Sequence, residues 1–298
     1  MRLVSFGPRG AEQPGMLTDA GSIVPLRPVL ATHGLGEASM PEILPLLPAL
    51  RPLLAEAREH ARGALASADT RIGAPVPRPG MVYAAGGNYR SHLAEIEGKR
   101  HAGPFRPVLF AKAPSSVSGP YDPVVRPPET SELDYECELA VVIGIGGRRI
   151  PASEAMSHVA GYMIANDVTA RDVFLGESGK NPLLMQSLCG KGFDTFCPTG
   201  PWLLTSEEVP DYRNLQMRLW VNDELRQDAS PAQMIFDLPT LVSAVSSCFT
   251  LRPGDIILTG TPAGVGMGFT PPRFLTAGDV LRLEITGLGT MTTSVVEE

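Results

Sequence analysis

The sequence predicts a strand-dominated α+β fold built around a rolled or sandwich-like sheet. Three observations lead there. Hydrophobic residues make up 43% and charged residues 19% of 298 positions, ample material for a buried core. The 31 glycines and 29 prolines follow no collagen-like period, so they mark frequent turns between short elements. Most connections between candidate strands are also too short for the helix that a parallel βαβ unit needs.

The elements follow in order. Short strands are expected at Arg2–Phe6, Gly15–Thr18 and Ser22–Leu26, with Asp19-Ala20-Gly21 as the turn between the last two. From Pro41 to Leu65, leucines recur at spacings of three and four, the pattern of a helix face. Pro45, Pro48 and Pro52 must interrupt or reset its first part. The segment Ile72–Gly80 carries three prolines and two glycines and reads as a linker, dividing a small α+β N-terminal domain (1–72) from a larger one (78–298). In the larger part, strands are expected at Val82–Ala85, Val108–Ala111, Asp134–Ile145, Tyr162–Asp167, Gln216–Val221, Asp255–Thr259 and Val280–Ile285. Helices are expected at Tyr89–Glu97, Ser153–His158, Pro231–Asp237 and Pro239–Ser247.

Charge and motif content exclude several function classes. The net charge is −7 and no Lys/Arg run exceeds two residues, so nothing suggests a nucleic-acid partner. No apolar run approaches the ~20 residues needed to span a bilayer, and the first ten residues lack the apolar core of an export signal. Cys137, Cys189, Cys197 and Cys248 form neither a C-x-x-C pair nor a zinc spacing. The expectation is a reduced, soluble, cytoplasmic protein without a membrane partner. The glycine clusters at 144–147 and 264–268 miss the dinucleotide spacing, and the phosphate-loop, zinc-protease and nucleophile-elbow motifs are absent.

The most informative stretch is Leu133-Asp134-Tyr135-Glu136-Cys137-Glu138-Leu139. On a strand, Leu133, Tyr135, Cys137 and Leu139 would face the core, and Asp134, Glu136 and Glu138 the other side. Two readings are open: a solvated acidic face, or a cation site that relieves the repulsion among three like charges. All-oxygen ligands favour Mg²⁺ or Mn²⁺, or Ca²⁺, over zinc. Asp167, at the end of the next apolar strand, is either a further ligand on a rigid support or the cap of the turn that follows. His92 and Glu95, three apart on a short helix, form either a surface ion pair or a general base with its orienting carboxylate. Lys191, between glycines on an expected tight loop, is either an ordinary exposed lysine or an anion contact. Gly260–Gly266, with Thr261, offers backbone amides and a hydroxyl suited to a carboxylate, or is a structural loop.

Taken in order, the segments resemble the fumarylacetoacetate hydrolase superfamily. The motifs that carry the likeness are Gly87-Asn88-Tyr89-x-x-His92, Leu133-Asp134-Tyr135-Glu136-x-Glu138-Leu139, Gly161-Tyr162-x-x-x-Asn166-Asp167-x-x-x-Arg171-Asp172, Gly190-Lys191-Gly192-Phe193-Asp194 and Pro253-Gly254-Asp255-x-Ile257-x-Thr259-Gly260-Thr261-Pro262. The resemblance implies a mixed β-sandwich roll behind a small N-terminal domain, a homodimer, and one Mg²⁺ or Mn²⁺ per subunit. It implies Glu136, Glu138 and Asp167 as metal ligands, and His92 with Glu95 as the acid–base pair. Lys191 would contact an oxyanion, and Arg171, Thr261 and Lys112 would contact substrate. It further implies a 2-oxo acid substrate. The first expectation is C–C hydrolysis of an acylpyruvate through a metal-chelated enolate. The alternatives are decarboxylation of oxaloacetate or a related diacid, isomerisation or tautomerisation of a 2-hydroxy-diene-dioate, and a non-catalytic metal-dependent binding or assembly protein. Phe174 stands where several small members carry glutamine, which points to a larger or more apolar substrate tail.

Overall fold

A computed structural model of the chain describes residues 1–61, 63–66, 69–97, 106–176 and 185–298. The N-terminal segment folds as β1 (Arg2–Phe6), β2 (Gln13–Leu17), β3 (Ile23–Pro25), α1 (Leu26–Ala31), α2 (Met40–Ile43) and α3 (Leu47–His60). The expected long helix is thus split. A 3₁₀ turn at Leu44–Leu46 separates α2 from α3, because Pro45 and Pro48 lack the amides a continuous helix would use. Residue 62 of that stretch lies outside the described residues, as does Gly98 at the end of the His92 segment.

The remainder follows as β4 (Ile72–Gly73), β5 (Val82–Gly86), α4 (Arg90–Glu97), β6 (Val108–Lys112), β7 (Val117–Ser118), β8 (Val124–Arg126), β9 (Leu133–Asp134), β10 (Cys137–Ile143), β11 (Val159–Asn166) and β12 (Thr169–Ala170). Then come α5 (Arg171–Leu175), α6 (Ser187–Gly192), β13 (Cys197–Thr205), β14 (Met217–Val221), β15 (Glu224–Ala229), α7 (Leu238–Cys248), β16 (Ile256–Leu258), β17 (Val280–Ile285) and β18 (Gly289–Glu297). The helices expected at Ser153–His158 and Pro231–Asp237 are only 3₁₀ turns, at Ala155–His158 and Pro231–Gln233.

The strands form a large mixed sheet in the order β3-β2-β1-β13-β11-β10-β16-β5-β6, and a second sheet in the order β15-β14-β17-β18-β8. Most neighbours are antiparallel; β16–β5 and β18–β8 are parallel. This is the strand-dominated α+β architecture that the sequence predicts. The period-two pattern decides the layering. Along β10, Cys137, Leu139, Val141 and Ile143 pack in one core with Met217, Leu219, Leu281, Leu283 and Met291 of the second sheet. Ala140 and Val142 point the other way, into a core closed by Leu30, Ile43, Leu47 and Leu54 of α1–α3. The N-terminal segment therefore shares a sheet and a core with the rest, β1 pairing with β13 at Leu203 and Leu204. We propose the 72–78 boundary as a division of labour, with 78–298 as the catalytic unit and 1–72 supporting it.

The acidic stretch departs from the expected single strand. The ladder stops after Asp134 and resumes at Cys137, because the three successive amides from Tyr135 to Cys137 are drawn to side chains. Tyr135 N donates to Asp134 Oδ1 (2.8 Å), Glu136 N to Asn166 Oδ1 (3.0 Å) and Cys137 N to Gln227 Oε1 (2.9 Å). Its acidic side is not solvated either: Asp134, Glu136 and Glu138 are all buried.

Candidate functional site

Glu136 and Glu138 lie where β10 begins, and Asp167 just past the end of the neighbouring β11, since Cys137 of one pairs with Asn166 of the other. The register therefore brings together three carboxylates from two chain segments. One oxygen from each lies within 4.8 Å of the others. Burying such a group is costly unless the charges are matched. Three buried cations meet them. Lys191 Nζ donates to Glu136 Oε2 (2.9 Å), Asp167 Oδ2 (2.7 Å) and Thr169 Oγ1 (3.0 Å). Lys112 Nζ donates to Asp167 Oδ1 (2.6 Å) and to the Val168 carbonyl (3.0 Å). Arg171 spans Asp134 Oδ2 (Nε, 2.8 Å) and Glu136 Oε1 (Nη2, 2.7 Å).

Four buried carboxylates, counting Asp134, thus face three buried cations. For Glu136, burial is outweighed by Lys191 and Arg171, which hold it well below the usual carboxylate range. For Lys191, burial is likewise outweighed, by Asp167 and Glu136, and its value is raised. Glu138 goes the other way: burial, then Asp167 and Glu136, push it up. It accepts one hydrogen bond, from Gly260 N to Oε2 (2.6 Å), and no cation among the described residues reaches it. Lys191 bridges Glu136 and Asp167, so a metal ion would share these two carboxylates with its ammonium. As a donor set, the three convergent carboxylates have the all-oxygen chemistry that suits a hard divalent cation such as Mg²⁺ or Mn²⁺.

Beside this cluster is a cavity of about 520 Å³. Glu136, Glu138, Arg171, Lys191, His92 and Thr261 form its polar floor, and Leu109, Phe110, Phe174, Leu175, Met185 and Met267 much of its wall. Asp167 lies under the floor. The ammonium of Lys191 sits 4.9 Å from the Phe110 ring centre and 5.9 Å from that of Phe174, within cation–π range of both. His92 reaches the floor from α4, with Nδ1 3.4 Å from Glu95 Oε2. Neither atom has a hydrogen-bond partner among the described residues. The other Glu95 oxygen accepts from Gly264 N (2.9 Å), and a Cβ at Gly268 would collide with that carboxylate.

The structure thus brings His92, Glu95, Glu136, Glu138, Asp167, Arg171, Lys191 and Thr261 into one neighbourhood, with changes of setting for three of them and for Lys112. Lys191 is on α6 rather than a tight loop, and it is buried. Lys112, expected to touch substrate, does not line the cavity; it has no exposed surface and lies beneath Asp167, because the end of β6 turns inward. Arg171 lines the cavity but has two nitrogens committed to carboxylates. The Thr261 hydroxyl donates to the Cys137 carbonyl (3.1 Å) and accepts from Gln227 Nε2 (2.9 Å). Sequence reading missed Gln227, which ties the start of β10 to the 261–262 loop; a glutamine on a polar strand carries no signal of that role. It also missed Asn166 as the acceptor for Glu136 N, although Asn166 stands inside a quoted motif.

Comparison with known proteins bears on this site. The profile of the fumarylacetoacetate (FAA) hydrolase C-terminal family matches residues 81–296. A mitochondrial oxaloacetate tautomerase of Bos taurus is 48% identical over 223 residues, 75% of this chain and 68% of its own. Among solved structures, a probable 2-hydroxyhepta-2,4-diene-1,7-dioate isomerase from Mycobacterium abscessus superposes with a TM-score of 0.82 at 41% identity, covering 100% of this chain and 99% of the other. Maleylpyruvate hydrolase from Sphingobium sp. SYK-6, in complex with manganese(II) ion and pyruvate, gives 0.79 at 32% identity with the same coverage. The chain belongs to the fumarylacetoacetate hydrolase family.

Proposed function

We propose that the protein is a divalent-metal-dependent hydrolase that cleaves a C–C bond of an acylpyruvate-type 2,4-dioxo acid. The observation that carries this reading is a cavity with carboxylates, a lysine and a His–Glu pair at one end and an apolar wall beyond. Glu136, Glu138 and Asp167 would hold Mg²⁺ or Mn²⁺. When bound, the ion would polarise the 2-oxo acid end of the substrate and stabilise the negative charge that develops as the bond breaks.

The remaining work falls to side chains of this chain. His92, oriented by Glu95, would take a proton from water, and the resulting hydroxide would bond to the distal carbonyl carbon. The bond between that carbon and the pyruvate methylene carbon then breaks. Its electron pair leaves with the pyruvate part, and the proton is returned there, giving pyruvate and a carboxylic acid. Lys191, its three donors held by Glu136, Asp167 and Thr169, would favour the developing oxyanion through its positive charge. Phe174, Leu175 and Met185 would take the acyl tail and exclude bulk water.

The 48% identity to an oxaloacetate tautomerase favours a second reading, keto–enol interconversion of oxaloacetate. That reaction needs only proton transfer by the same His92–Glu95 pair. A homodimer with one ion per subunit belongs to the same proposal and rests on family membership, whereas the cytoplasmic location rests on the sequence reading alone. The test is turnover of acylpyruvates of increasing tail length and of oxaloacetate, with Mn²⁺ and with EDTA. Pyruvate release that grows with tail length and stops in EDTA is expected. Oxaloacetate tautomerisation without acylpyruvate cleavage would favour the second reading. Mn²⁺-induced thermal stabilisation with no turnover of either would mark a binding protein.

A further inference from the structure

Asp134 is the acidic side chain of the Leu133–Leu139 stretch that the proposed chemistry leaves without a task. It has no exposed surface. Its Oδ1 accepts from Tyr135 N (2.8 Å) and Gly266 N (2.6 Å), and its Oδ2 from Arg171 Nε (2.8 Å) and Met267 N (3.1 Å). Four donors fill it, so it has no room to take a ligand of its own.

What it touches is more informative. Arg171 is shared: one nitrogen goes to Asp134 and another to Glu136 Oε1 (2.7 Å). A planar guanidinium held at one edge presents its other donors in a fixed direction. Asp134 in turn is anchored by backbone amides of the loop that forms part of the cavity wall. That approach requires glycine at 266, where a Cβ would stand 2.7 Å from Asp134 Oδ1 and 2.5 Å from the Arg273 carbonyl. The chain of contacts therefore runs from a rigid loop, through Asp134 and Arg171, to Glu136.

We infer that Asp134 is a positioning residue: through Arg171 it fixes the direction in which Glu136 presents its carboxylate. Without the negative charge at 134, Arg171 would pair with Glu136 alone and draw that carboxylate toward itself. The inference rests on the reading of Glu136 as a metal ligand.

The experiment is Mn²⁺ binding without substrate, followed by paramagnetic resonance and calorimetry, on the full chain and on Asp134→Asn. The wild type should bind one Mn²⁺ per chain, and Asp134→Asn should bind about 10–100-fold more weakly, the usual cost of losing a residue that orients a ligand. Its spectrum of bound Mn²⁺ should also change while cooperative thermal unfolding is kept. A merely structural Asp134 would lower the melting temperature and leave both the affinity per folded chain and the spectrum unmoved; that result would overturn the inference. If Asp134→Asn fails to fold, Arg171→Lys decides. It keeps the charge but loses the fork, so the same weakening is expected, and wild-type affinity would overturn the inference. Failure of the wild type itself to bind Mn²⁺ would remove the metal reading and this inference with it.

Discussion

The floor and the wall of the cavity are built on different terms. On the floor, every carboxylate accepts at least one hydrogen bond, and cations from β6, α5 and α6 brace the group from three directions. The wall has no such bracing among the described residues. Val108 is 53% exposed and Met185 46%, so apolar surface there meets solvent. Groups that must sit to within a fraction of an ångström are held in place before any ligand arrives. Groups that choose among tails are left to be covered by what binds, where a methylene is worth only ~1–3 kcal/mol. The two sides meet on α5, which carries Arg171 of the floor and Phe174 of the wall within one turn.

Substitutions can break that contrast, and the floor should yield the largest effect. Glu138→Gln keeps the shape and an acceptor for Gly260 N but removes the unmatched charge. Turnover with Mn²⁺ should fall to the level of EDTA-treated wild type. The metal-free variant should melt no lower than wild type and lose its Mn²⁺-dependent shift, which differential scanning calorimetry would read. A variant melting well below wild type would mean that the charge of Glu138 is already balanced without metal.

His92→Ala should reduce kcat by roughly 10²–10⁴-fold, the range for a lost acid–base group, and leave Mn²⁺ affinity as it was. Steady-state kinetics beside a binding titration separate the two. An unchanged rate would take His92 out of the chemistry.

On the wall the effect should be smaller and of another kind. Phe174→Gln should raise KM for long-tailed acylpyruvates by about tenfold, one step of the 10–200-fold scale for apolar recognition, with kcat kept within a few-fold. A loss confined to kcat would mean that Phe174 serves the floor, through its contact with Lys191, rather than the tail.

The smallest effect is expected at Asp172, next to Arg171. Burial would raise its pKa, but hydrogen bonds from Thr130, Ser131 and Val173 outweigh it and leave the value lowered. A carboxylate lowered on folding adds stability above its unfolded pKa of about 3.9, and that stability is lost as pH falls through the lower folded value. Wild type should therefore lose urea resistance more steeply below about pH 4 than Asp172→Asn does. Parallel curves for the two proteins would remove Asp172 as a brace of α5.

What could be read beforehand divides along physical lines. Strands with unbroken apolar runs or clean alternation, such as β1, β5 and β17, were legible because burial alone specifies them. β13 was hidden by Pro198, Gly200 and Pro201, which read as turn residues, yet β11 and β1 flank it as a sheet strand. β15 was hidden because four of its six residues are charged or amide-bearing, although Asn222 with a positive φ opens the hairpin that leads into it. β18 was legible and overlooked, since Met291, Thr293 and Val295 alternate with exposed positions. At the site, residue type and spacing raised the carboxylates as candidates and left a structural role open; the resemblance to the family named them as ligands. The direction in which Lys112 points, and the sharing of Arg171 between two acids, depend on contacts across more than thirty residues of chain, which no local pattern records.

The layering has one more consequence. The face of the large sheet bearing Val82, Ala84, Ala140, Val142 and Met163 is roofed by α1–α3, and the outer rim of β13 is taken up by β1. Cut away at the 72–78 boundary, that roof would leave an oily plane beside a bare row of backbone donors and acceptors, the combination through which β-proteins adhere to one another. A fragment beginning at residue 78 should therefore collect in the pellet, although it carries all the candidate chemistry. On this expectation the leading segment would shield the larger part of the chain against self-adhesion.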